Sequence, residues 1–161
     1  MIVFQTLLFF LAFMLLHEAG HWLAARVLGL SVNGAGVSLK PYPHFYVSVQ
    51  WPRLPMQKYI YLFAGMALTC LLFGISFLNS FWGIESLLYG FILQLIVEFN
   101  PFHSDILIAI LTQRKVFKQG GGASFQNLYK KELQTYHFTA PWYLHFALWT
   151  VLIVLLMKIT I

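Results

Sequence analysis

His17, Glu18 and His21 stand in the five-residue string His17-Glu18-Ala19-Gly20-His21, an HExxH motif. On an α-helix, residues four apart share a face, so two imidazoles at this spacing can reach one metal ion. Glu18 projects beside them, where a carboxylate can take a proton from metal-bound water and relay it to a leaving amine. Neutral imidazoles suit zinc, and a catalytic zinc takes three protein ligands and keeps one position for water. The motif alone has two wildcards and is weak in a water-soluble chain. Here it falls inside a long apolar run. An ionisable side chain costs about 2–3 kcal/mol at the centre of a bilayer and usually faces a functional cavity. The structural alternative is a polar cluster that packs against neighbouring helices without metal.

Two histidines leave a third ligand to be found. The other polar groups at membrane depth gather in one stretch: Glu98, Asn100, His103 and Asp105, with Pro101 among them. At about 1.5 Å per residue, His17 lies roughly 24 Å from the outer end of its helix, in the inner part of an approximately 30 Å hydrocarbon core. Asp105, about 20 residues into the third apolar segment, reaches a matching depth. Asp105 and His103 compete for the metal. Two residues apart on a helix they point nearly opposite ways, so one of them faces it. Pro101 predicts a kink or unwinding there. Asn100 beside it can bond the freed backbone, or donate to a substrate carbonyl. Glu98 is expected to orient a ligand or to pair with a basic group.

The rest of the chain must position these groups in lipid. Of 161 residues, 60% are hydrophobic and 9% charged, and the mean hydropathy is +0.74. A soluble domain carries about a quarter charged residues. The composition therefore predicts a membrane protein. The fold expected is all-α, with about four transmembrane helices and a small membrane-associated β-hairpin between the first two. The apolar segments are Ile2 to Leu28, Tyr59 to Leu78, Ser86 to Leu111 and Pro141 to Met157. The first lacks a basic leader and runs straight into the motif, so it is read as a retained helix rather than a signal peptide. Cys70 is the only cysteine, which excludes an intrachain disulfide.

The net charge of +5 does not point to nucleic acid, because the basic residues lie between apolar runs rather than in one patch. Arg26, Lys40, Arg53 and Lys58 flank or occupy the first loop; Arg114, Lys115, Lys118, Lys130 and Lys131 occupy the third. The connection from Asn79 to Glu85 has none. Loops one and three are therefore expected in the cytoplasm and both termini outside.

In the first loop, Phe45, Val47, Val49 and Trp51 alternate with Tyr46, Ser48 and Gln50, which predicts a strand. Val37 and Leu39 are expected to pair with it across Pro41-Tyr42-Pro43, giving a hairpin over 34–53. The hairpin can simply lie on the membrane surface, or offer an open edge to an extended peptide. The third loop has Gly120-Gly121-Gly122, then Phe125, Leu128, Glu132, Leu133 and Tyr136 at helical spacing. That fits an amphipathic helix on an anionic leaflet, or a plain connector. The organisation expected is a core over 1–112, a basic cytoplasmic loop over 113–140, and a fourth transmembrane helix over 141–161. His44, His137 and His145 are read as ordinary polar residues. Trp22, Trp51, Trp82 and Trp142 are read as interfacial anchors.

The chain resembles the site-2 protease family of intramembrane zinc metalloproteases, in a minimal form lacking a PDZ domain. The resemblance rests on HEAGHWLAARVLG, His17 to Gly29, and on Asn100-Pro101-Phe102-His103-Ser104-Asp105. It covers roughly the first two-thirds of the chain. It implies that His17, His21 and Asp105 hold Zn2+, that Glu18 is the catalytic base, and that Asn100 holds substrate. Three positions depart from the family pattern. Ile106 follows Asp105 where Gly is usual, Pro101 precedes Asp105 by four residues rather than five, and Gly65-Met66 stands where many members have Gly-Pro. The function implied is hydrolysis of membrane-embedded or membrane-associated peptides at a cytoplasm-facing site, with the bilayer as a further partner. The alternatives are a non-catalytic membrane scaffold or immunity protein that retains a structural zinc site, and a metal transporter. The absence of an internal repeat speaks against the last.

Overall fold

The structure, a computed structural model, describes residues 1–38, 44–50, 52, 54–99, 105–112 and 139–160. Their helices are α1 (Ile2–Val27), α2 (Pro55–Leu78), α3 (Glu85–Glu98), α4 (Asp105–Thr112) and α5 (Ala140–Thr160), with strands β1 (Val32–Ser38) and β2 (His44–Val49) between α1 and α2. The chain divides into two compact units, Met1–Gln94 and Leu95–Ile161.

In the first unit, α1 runs unbroken through the HExxH motif and stops for a local reason. Gly29 adopts φ +67°, a left-handed conformation that costs glycine little. Leu30 N–H then donates to Ala25 O at 2.8 Å and Gly29 N–H to Arg26 O at 3.2 Å. These two bonds satisfy carbonyls that a helix end otherwise leaves open. Arg26, in the last turn, lies 5.1 Å over the Trp22 ring. Helix α2 opens with Pro55 in its first turn, where the missing N–H costs nothing. It starts four residues before the apolar segment expected from Tyr59, because Gln57 and Lys58 hide the first turn from a hydropathy reading.

Both α1 and α2 are long and apolar enough to cross a membrane. Their outward residues include Leu15, Leu23, Leu71 and Phe77, all more than half exposed. Such faces suit lipid rather than water. Helix α1 and α2 pack on one another where side chains vanish. A Cβ on Gly20 would lie 2.7 Å from Ala64 O and 2.9 Å from Gly65 Cα. Backbone atoms therefore meet directly, as small residues permit between membrane helices.

Further along, Phe13, Leu87 and Phe91 form a buried cluster with Phe9, Leu72, Phe73 and Phe81 against it. The Phe13 and Phe91 rings stack with centroids 3.8 Å apart. The short turn at Ser80–Gly83 joins α2 to α3 with Ser80, Phe81 and Trp82 all near φ +50°. Non-glycine residues are strained there, and the contacts of Phe81 with Phe73 and Phe91 offset that strain.

The hairpin forms as an antiparallel pair, with Ala35 opposite Val47 and Val37 opposite Phe45. It starts earlier than the expected residue 34: Val32 pairs with Val49, and a register shift follows between Val32 and Gly34. Gly34 and Gly36 have no side chains to alternate, so the hydropathy pattern misses them, whereas backbone pairing needs none. Val49 is buried and β2 packs on α1. The expected turn at Pro41 to Pro43 lies outside the described residues.

In the second unit, Phe99 stacks on Trp149 of α5 at 6.3 Å, and Trp149 Nε1 donates to His145 Nε2 at 3.2 Å. Trp142 is buried and parallel to Phe146, whereas Trp22 and Trp82 are exposed. The third apolar segment comprises α3 and α4 on either side of 100–104. The bend expected at Pro101, the amphipathic stretch from Phe125 to Tyr136, and Trp51 all lie outside the described residues.

The crossing at Gly20 yields a prediction. Gly20→Val should lower the thermal unfolding midpoint in detergent, because added atoms would meet α2 backbone that cannot move aside. Gly74→Val should leave the midpoint nearly unchanged, since nothing lies within 4 Å of a Cβ at Gly74. Equal midpoints for the two variants would contradict the close approach.

Candidate metal centre

Uninterrupted helix through 17–21 sets the two imidazoles on neighbouring turns of α1. Their Nε2 atoms are 3.0 Å apart. The rings are tilted 77° to one another with centroids at 4.7 Å. His21 is buried, with 4% of its surface exposed, and His17 is half-buried. Such a pair needs an account of its protons, because two bare nitrogens would repel.

His21 Nδ1 supplies it. That atom lies 2.7 Å from the backbone carbonyl of Tyr61. A carbonyl only accepts, so Nδ1 carries the hydrogen and Nε2 keeps its lone pair. In the metal-free protein His17 Nε2–H can donate to that lone pair. A tautomer shift in His17 alone, with no loss of charge, turns both Nε2 atoms into ligands.

The spacing of the two nitrogens can be compared with that around a shared zinc ion. With Zn–N bonds of about 2.0–2.1 Å, tetrahedral donors stand roughly 3.3–3.4 Å apart. The observed 3.0 Å is a small side-chain adjustment away. An Nδ1–H bonded to a backbone carbonyl is also the usual support of a metal-bound imidazole.

The opposing wall is Gly65 of α2. A Cβ there would lie 2.7 Å from His17 Nε2, His17 Cε1 and His21 Nε2 alike. The ligand-bearing edges of both rings therefore face bare backbone, one helical turn from the Tyr61 carbonyl that orients His21. Thr69 Oγ1 donates to Gly65 O at 3.3 Å, satisfying that carbonyl a second time. Sequence reasoning noted Gly65 only as a departure from a family pattern, and Tyr61 not at all. A glycine one turn from a buried aromatic was the only available signal, and it is common in apolar helices.

Glu18 is half-buried. By helical geometry it stands roughly 100° round the axis from His17 and roughly 60° from His21. It is thus beside the imidazole pair and not between the rings. Asp105 is half-buried and opens α4, where a carboxylate offsets the partial positive charge of a helix N-terminus. Among the described residues, His17, His21 and Asp105 make up a group that could hold a metal ion. Two imidazoles and one carboxylate are a donor set that zinc accepts. His103, the rival for third ligand, and Asn100, the expected substrate contact, lie outside the described residues. His44 stands at the start of β2, and its ring does not belong to the group.

No family model, curated protein or solved structure matches this chain.

Gly65→Ala is expected to weaken zinc binding by on the order of 10–100-fold, the loss typical when support of a ligand is removed. Helix content should stay unchanged. Competition with a chromophoric chelator in detergent measures the affinity, and circular dichroism the helix content. Wild-type affinity in Gly65→Ala would contradict the packing of both imidazoles on that residue.

Proposed function

We propose that the protein is an intramembrane zinc-dependent endopeptidase. The observation that carries this reading is the imidazole pair, with Nε2 atoms 3.0 Å apart and one Nδ1–H anchored on a backbone carbonyl. A merely structural histidine pair has no need of both Nε2 atoms gathered against one bare glycine. The reading takes Zn2+ as the metal and His17, His21 and Asp105 as its ligands. It also groups the chain with the site-2 protease family that its sequence resembles.

When bound, zinc would acidify a coordinated water and polarise the scissile carbonyl. Everything else falls to the chain. Tyr61 fixes the tautomer of His21, and Gly65 gives the edges of both imidazoles room. Glu18 takes the proton from the attacking water and returns it to the departing amine, as a general base that becomes a general acid. Asn100 binds the substrate backbone.

Lipid sets the substrate class. Within a bilayer, a helical peptide hides its carbonyls in its own hydrogen bonds. A cleavable bond must come from a segment that has unwound locally. The hairpin of β1 and β2, tied to α1 and α2, provides a backbone surface for such an extended stretch. The substrates are accordingly membrane-spanning or membrane-associated peptides. The remaining apolar segments complete a multi-pass protein of the cell membrane, with the site toward the cytoplasm and both termini outside.

Glu18→Gln tests the chemistry. The amide keeps the size of Glu18 and removes its basicity. Zinc affinity should change little, while cleavage of a panel of membrane-reconstituted single-span peptides should fall by about 10²–10⁴-fold. Cleavage that persists at the wild-type rate would rule out Glu18 as the base.

A further inference from the structure

Tyr61 makes two hydrogen bonds in opposite directions, and no part of the proposed chemistry uses the second. Its backbone carbonyl accepts from His21 Nδ1 at 2.7 Å. Its hydroxyl donates to Val47 O, in the middle of β2, at 2.8 Å. The side chain between these bonds is buried, with 6% of its surface exposed. Its ring lies 5.2 Å from the His21 ring. A single residue of α2 thus ties a metal-site imidazole to the centre of a β-strand.

The bond to Val47 is not needed to fill a helix or a ladder. A buried tyrosine hydroxyl requires a partner, and that partner need not lie on a strand. The partner is instead a strand carbonyl with Val49 buried two residues further on. Any shift of β2 along its own axis therefore pulls on Tyr61, and through it on the backbone that fixes the His21 tautomer.

We infer that Tyr61 is a positioning residue: it sets the register of β2 against the imidazole pair, so that a peptide backbone lying along the hairpin is presented at a fixed offset from the His17 and His21 Nε2 atoms. This rests on the metal-site reading above and adds to it the residue that joins peptide surface to ligand. The coupling runs both ways, because linkage is reciprocal. A metal held at Nε2 would make the Nδ1–H a stronger donor, which would tighten Tyr61 and, through its hydroxyl, β2.

The test uses the full chain in detergent with zinc alone as the probe. A zinc titration comes first, followed by amide hydrogen exchange of the segment 44–49 with and without zinc. In the wild type, zinc should slow exchange there by about threefold or more, the scale of a fraction of one hydrogen bond. Tyr61→Phe keeps the carbonyl and the ring and loses only the hydroxyl. It should abolish that slowing while its zinc affinity stays within about fivefold of wild type. Tyr59→Phe, on the same helix, should behave as wild type.

Zinc-dependent slowing that survives in Tyr61→Phe overturns the inference, as does a hairpin in the wild type that ignores bound zinc. A Tyr61→Phe chain that fails to fold also overturns it, by making Tyr61 a residue of the fold. A wild type that takes up no zinc fails at the titration. That result sinks the metal reading itself and is distinct from the other outcomes.

Discussion

The approach of α1 to α2 at Gly20 and Gly65 is the constraint on which the site depends. Two glycines, one on each helix, let backbone meet backbone. Only at that separation does the Tyr61 carbonyl reach His21 Nδ1, and only a bare Cα at Gly65 leaves room for both imidazole edges. A methyl group at either position would move the helices apart or turn the rings. The tautomer of His21, the spacing of the Nε2 atoms and the anchoring of β2 are thus consequences of one close crossing.

Lipid explains why a crossing of this kind carries so much. Between helices already in hydrocarbon, burial of Leu or Phe gains little, and association rests on packing and hydrogen bonds. Small residues maximise the first, and the His21 to Tyr61 bond supplies the second. The aromatic cluster around Phe13 and Phe91 does the same for α1 and the start of α3. It also holds the left-handed turn at Ser80–Gly83, whose strain would otherwise favour a looser connection. The wide apolar faces of α1 and α2 are left outward, on helices long and apolar enough to cross a membrane.

Much of the architecture could be read before the structure, and the reasons differ by element. Helix α1 was legible because its apolar run, Ile2 to Leu28, is local and continuous. The second strand was legible because Phe45, Val47 and Val49 alternate with polar neighbours. The start of β1 was not, since glycines at 34 and 36 carry no pattern. In the candidate site, the i, i+4 spacing of His17 and His21 announced itself, as did the carboxylate of Glu18 next in the chain to His17. Tyr61 and Gly65 did not, because their roles exist only where two helices meet, and a single sequence holds no record of that meeting. Asp105 was singled out from depth and from a family resemblance, with His103 left as its rival. Asn100 drew attention through Pro101 beside it.

The central claim is that two imidazoles and the Asp105 carboxylate bind one zinc ion and leave a place for water. Zinc K-edge X-ray absorption on the purified, zinc-loaded chain, wild type and Asp105→Ala, tests it directly. The account predicts one zinc per chain with two imidazole nitrogens at about 2.0–2.1 Å and oxygen donors completing the shell, and a marked loss of bound zinc in Asp105→Ala. A chain that binds no zinc, an Asp105→Ala spectrum identical to wild type, or a closed shell of four protein ligands would contradict it.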